Sequence, residues 1–277
     1  MSTAQTIALG LVAGLTIFLG LPMGRIKGAS LGLKTFLNGT SAGILVFLFF
    51  DILEHSTGEV VSKTEAFQAG TGSFGQVVSL AAVNVLAFGV GLLSLLYVQR
   101  LWRRREARQS IGPGAMAVAE AHAPERDALR LGMSIAIGIG LHNFSEGLAI
   151  GQSAHSGEVA LALLLVIGFA AHNATEGFGI VGPLAAADVR PSWGWLAFAG
   201  LVAGGPTFVG TLVGTAFAST VYVSVAFLSL AAGAILYVIG ELFSAGRRLS
   251  WEITLWGVLA GFTFALATEI ILVAAGA

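Results

Sequence analysis

The chain contains no cysteine. Disulfide frameworks, Cys-ligated zinc, iron–sulfur clusters and thiol catalysis are therefore excluded, and any metal site must be built from His, carboxylate and amide groups. Charge is equally scarce. There are 14 Lys and Arg and 15 Asp and Glu in 277 residues, too few to clothe a water-soluble globule of this size. Histidine is limited to five, and no HExxH segment occurs, which argues against a zinc hydrolase of the usual design.

What the chain has instead is hydrocarbon. Hydrophobic residues make up 56% and the mean hydropathy is +0.86, so stacked spanning helices are the simplest packing and lipid is the solvent. Glycine reaches 38, and small residues let spanning helices approach closely. Gly210 and Gly214 have the GxxxG spacing, read here as ordinary helix packing.

Windows long enough to cross ~30 Å of hydrocarbon at ~1.5 Å per residue predict eight spans. They lie near 5–23, 36–54, 76–98, 131–152, 158–181, 194–217, 221–243 and 252–275. The first has no basic residue before it and runs into Arg25 and Lys27, which suits a retained helix rather than a cleaved signal. With both termini outside, the inner segments collect 13 of the 14 basic residues and only Lys63 falls outside, as the positive-inside rule requires. Trp102, Trp193, Trp195 and Trp251 fall at the same inner boundary. The whole chain, 1–277, reads as one transmembrane domain in the plasma (inner) membrane. Residues 100–130, with Gly112, Pro113, Gly114 and Pro124, read as a flexible cytoplasmic loop. Its Arg103–Arg105 run suits topology and anionic lipid better than nucleic acid.

Two segments repeat. His142-Asn143-Phe144-Ser145-Glu146-Gly147 lies in the fourth span and His172-Asn173-Ala174-Thr175-Glu176-Gly177 in the fifth; both read HNxxEG. His and Glu four residues apart share one helix face, so each helix offers a two-point chelate. The spans run antiparallel, so the copies meet near the midplane with each His at the height of the other's Glu. Imidazole with carboxylate suits zinc and ferrous iron; an all-oxygen site would suit magnesium or calcium. Two ionised carboxylates at that depth call for a cation, since each costs about 2.5–3.5 kcal/mol even on the lenient insertion scale. Asn143 and Asn173 are either weak amide ligands or polar packing groups.

These motifs, with eight spans and outward termini, resemble the ZIP family of divalent-metal transporters over nearly the whole chain. The resemblance implies an inverted-repeat bundle with a metal site between the fourth and fifth helices, made by His142, Asn143, Glu146, His172, Asn173 and Glu176. It implies zinc or iron, with manganese and cadmium as further candidates, carried as substrate and not as cofactor. The second span, from Ala42-Gly43-Ile44 to Asp51-Ile52-Leu53-Glu54, looks like the family's acid-ending second helix. Glu241 stands where the family has an acidic residue on the cytoplasmic exit path. There are departures. Ser145 and Thr175 replace the proline that often precedes the motif Glu, whereas Pro183 matches. Gly205 takes the place of an acid before Pro206, which removes one anion from a second, bridged metal position. The loop has His122 alone where relatives are often His-rich.

Asp51, Glu54 and His55 share a face at the outer end of the second span, an access funnel for cations in one reading and a solvated helix end in the other. Glu59 lies just beyond, while His155 and Glu158 read as solvated outer-loop residues. The rival functions are an intramembrane metal-dependent enzyme, disfavoured by two equivalent motif copies, and a metal-gated channel. Sequence leaves a homodimer open.

Overall fold

A computed structural model describes residues 2–25, 30–109, 123–155, 159–216 and 220–274. The side chains of His172 and Thr175 lie outside the described residues, as do His122 and Glu158. Among the described residues all regular structure is helical. The helices are α1 (Thr3–Leu15), α2 (Leu31–Gln68), α3 (Phe74–Gln109), α4 (Ala123–His155), α5 (Val159–Ala186), α6 (Trp193–Ala216), α7 (Val221–Leu249) and α8 (Trp251–Ala274).

Six of the described helical segments are long and apolar enough to cross a membrane: Thr3–Arg25, Leu31–Gln68, Phe74–Val98, Trp193–Ala216, Val221–Leu249 and Trp251–Ile270. The motif-bearing α4 and α5 pack among them. Ile17, Leu48, Ile135, Ile180, Leu196 and Val238, drawn from six segments of the chain, share one core with almost no exposure. By contrast α3 and α8 are mostly exposed, with Leu86 and Trp256 among the large apolar side chains on their outer faces. In lipid such a face needs no cover.

Several boundaries differ from the sequence reading. α2 runs 38 residues, to Gln68, where the second span was expected to end near Glu54. At ~1.5 Å per residue it is ~57 Å long, well beyond the ~30 Å of hydrocarbon. Glu54, His55 and Glu59 therefore sit along a continuing helix and not at its end. It turns back at Gly70, whose φ of 74° suits glycine, with Phe67 against Phe74 at 5.5 Å. Likewise α3 continues to Gln109 and α4 begins at Ala123, so helix enters the expected 100–130 loop from both sides. Charged residues were read as loop, but Arg and Glu are good helix formers once a span has nucleated the helix.

α1 ends early, and the cause is local. The Ala13 carbonyl accepts from the Thr16 hydroxyl at 2.6 Å and from Asn173 Nδ2 at 3.1 Å, and the chain goes on as two 3₁₀ turns, Thr16–Leu19 and Leu21–Arg25. The Gly210 and Gly214 pair packs against the α4 backbone between Phe144 and Gln152, as its spacing suggests.

Candidate metal centre

Each HNxxEG copy presents two faces, because residues one apart are rotated by ~100° and residues four apart are nearly eclipsed. On one face lie His142 and Glu146; on the other lie Asn143 and Gly147. The second face locks α4 to α6. Asn143 Nδ2 donates to the Ala203 carbonyl at 3.0 Å, and a Cβ on Gly147 would overlap the Thr207 carbonyl oxygen. The α5 copy repeats this against a different neighbour. Asn173 Nδ2 donates to the Ala13 carbonyl of α1 at 3.1 Å, and a Cβ on Gly177 would overlap the Ile17 carbonyl oxygen. The asparagines therefore do bind neighbouring helices, but with one end only.

Their other ends are open. Asn143 Oδ1 and Asn173 Oδ1 are buried and accept no hydrogen bond among the described residues, and the same holds for Glu146 Oε2. Leaving a buried polar atom unsatisfied costs about 1–3 kcal/mol, so three such oxygens on two equivalent motifs mark a place built for a further partner.

The His/Glu face is just as deeply placed. His142 and Glu146 are each 5% exposed and Glu176 is fully buried. His142 Nε2 stands 3.1 Å from Glu146 Oε1, and Glu176 lies within electrostatic reach of both, with Asn143 beside it. His172 belongs to the same turn of α5 as Asn173. Among the described residues no three His, Asp or Glu side chains close around a single point. The chemistry of the set is one imidazole, two carboxylates and two amide oxygens, a mixed nitrogen and oxygen donor set for a borderline transition metal.

Of the expected access and exit residues, the structure gathers some and not others. Asp51 is one-quarter exposed and acts electrostatically on His142 and Glu176, so it belongs near the centre. His55 is largely exposed and bonds the Asp51 carbonyl through Nδ1 at 2.9 Å, and Glu54 points outward into the open. Glu241 is half-buried in the last third of α7. One residue escaped the sequence reading: Glu269 of α8 lies near Asp51, His55 and Glu146. An acid deep in the final span, far from Glu252 at its start, was the available signal.

A Cβ on Gly205 would meet nothing within 4 Å. Its α6 neighbours Val202, Pro206 and Val209 line an apolar cavity of about 320 Å³ between α4, α6 and α7. That cavity also touches Leu141 and Phe144, on the side of α4 turned away from Glu146.

A helical bundle with a lipid-type surface and a buried acidic centre defines an α-helical polytopic integral membrane protein. The sequence profile of the ZIP zinc transporter family matches residues 106–269, more than half of the chain and all of both motifs. The chain belongs to the ZIP zinc transporter family, and is therefore a divalent-metal transporter and not an enzyme. No curated protein sequence matches it.

Proposed function

We propose that the chain carries zinc or ferrous iron into the cytoplasm through a centre made by His142, Asn143, Glu146, His172, Asn173 and Glu176. The observation that carries this reading is the pair of pinned asparagines, each with its amide oxygen buried and unsatisfied. A packing role would use both ends of the amide. An ion that enters supplies the missing partner for Asn143 Oδ1, Asn173 Oδ1 and Glu146 Oε2, and it offsets the carboxylate charge that the bilayer centre penalises.

The path begins at Asp51, Glu54 and His55 on α2, joined by Glu269 from α8, and leaves past Glu241 on α7. Acidic groups lining a low-dielectric mouth raise the local cation concentration. The topology is eight spans with both termini outside, in the plasma (inner) membrane. Chain 1–277 forms one domain, and the α3–α4 connection lies in the cytoplasm. The bias of basic residues supports the orientation. Manganese and cadmium share the donor preferences closely enough to compete.

Uptake into liposomes, measured against a panel of zinc, ferrous iron, manganese and cadmium, tests the function. Saturable uptake of zinc or iron is expected. Flux that rises linearly with metal concentration would indicate a channel, and absence of any metal flux would overturn the reading.

A further inference from the structure

Asp188 occupies a position that usually falls to glycine. α5 closes with Val189 N–H donating to the Leu184 carbonyl at 2.8 Å and Asp188 N–H donating to the Ala185 carbonyl at 3.2 Å, the paired bonds of a Schellman ending. Val189 and Leu184 meet in one apolar cluster, the contact that accompanies this motif. The residue at the turn must be left-handed. Asp188 has a φ of 61°, the only positive φ outside glycine among the described residues. Its Cβ crowds the backbone there, which glycine would avoid.

The side chain that glycine lacks reaches Lys34. Asp188 Oδ2 lies 3.1 Å from Lys34 Nζ. Lys34 stands in the first turn of α2, where the helix dipole disfavours a cation, and its side chain is only 16% exposed. Such an amine needs a fixed anion. The segment that follows Asp188 is held by Arg25, which donates to the Pro191 carbonyl and lies 4.6 Å over the Trp193 ring.

The ion pair joins α5 and its partners to α2 and its partners, two bodies that also meet where Gly182 of α5 packs against Ser41 of α2. On one side, α1, α5 and α6 are tied by the Asn173 bond to Ala13 and by the Gly14–Gly204 backbone contact. On the other, α2 is tied to α7 by Asn38 Nδ2 donating to the Leu242 carbonyl at 3.0 Å, and to α8 by the Gly39–Gly257 contact. Glu176 lies twelve residues, ~18 Å, up α5 from Asp188. Pro183 between them takes away the N–H that would reach the Gly179 carbonyl, so α5 is weakest between its motif and its tethered end.

We propose that Lys34 and Asp188 form a latch between these bodies. Closed, it holds the lower end of α5 on α2 while Glu176 is buried. Released, it lets the motif-bearing helices shift against α2 and exposes the centre on the side of Lys34. The inference rests on the transporter reading of the same centre.

Absence of native cysteine makes the test clean. Lys34→Cys with Asp188→Cys, in the full chain reconstituted in liposomes, introduces two thiols that a short bifunctional maleimide bridges. The reference is the same variant capped with a monofunctional maleimide. The short bridge is expected to lower zinc uptake more than tenfold, with zinc binding to the purified protein within twofold of the reference; a long flexible bridge restores uptake. Unchanged uptake after complete short bridging overturns the latch. Charge variants give a second readout. Lys34→Asp and Asp188→Lys each alter uptake by up to roughly fivefold, as a partly exposed pair allows, and Lys34→Asp combined with Asp188→Lys restores it. If the single variants lose thermal stability and zinc binding together and the exchange does not restore them, the pair is only a structural clamp and the proposal fails. A block by the short bridge in a protein whose Glu146→Ala and Glu176→Ala forms still bind zinc would instead keep the latch and overturn the site.

Discussion

His142 and Glu146 hold one another. Nε2 and Oε1 are 3.1 Å apart, on adjacent turns of α4, with both side chains almost fully buried. In the proposed centre an ion ligated by both would come between them, so the groups that attract each other without metal would be the groups that bind it. Preformed contact of this kind limits the reorganisation that binding requires.

Glu146→Ala and Glu176→Ala are each expected to lower metal uptake at least tenfold, because each removes a ligand and a counter-charge from a desolvated site. Glu59→Ala, on the exposed length of α2, is expected to leave uptake near the parent value. Initial rates in liposomes, normalised to inserted protein, make the comparison. Parent-level uptake by both motif variants would remove the site assignment.

Asn143→Ala and Asn173→Ala should behave alike, since each makes the same bond to a neighbouring helix and leaves the same oxygen open. Loss of a residue that both orients and ligates costs about 10–100-fold in metal affinity. Isothermal titration of the purified variants with zinc measures this. A large effect in one copy and none in the other would break the equivalence of the two motifs.

Gly147→Ala and Gly177→Ala are expected to destabilise the protein by about 1–3 kcal/mol, because the added methyl overlaps a carbonyl oxygen of the adjacent helix. Gly240→Ala, where a methyl meets nothing within 4 Å, should be neutral or slightly stabilising. Thermal unfolding in detergent ranks the three. Equal melting temperatures would show that the seams between α4 and α6 and between α5 and α1 are looser than drawn.

Glu269→Gln should raise the metal concentration needed for half-maximal uptake several-fold while changing the maximal rate little. It stands near Asp51 and His55, and in the proposed path it would act by attracting cations. The difference from parent should shrink as ionic strength rises. An effect independent of salt would instead place Glu269 among the ligands.

Composition and local spacing decided much of this protein in advance. The lack of charge and the long apolar runs dictate spanning helices, because an unpaired backbone group has no partner in lipid. The i, i+4 spacing of His142 with Glu146 and of His172 with Glu176 dictates two chelating faces, because that periodicity belongs to any α-helix. Neither conclusion needs neighbours. The rest depended on which helices touch. Local pattern could not say that Asn143 would spend its donor on Ala203 and Asn173 on Ala13, since those carbonyls are 60 and 160 residues away. It could not bring Glu269 toward Asp51, nor say that Val202, Pro206 and Val209 of α6 would line an apolar cavity with Leu141 and Phe144 of α4. It also read Glu54 as a helix end, although α2 runs on to Gln68. A side chain's direction around its own helix follows from the sequence, but what lies in that direction follows from the packing of the other helices.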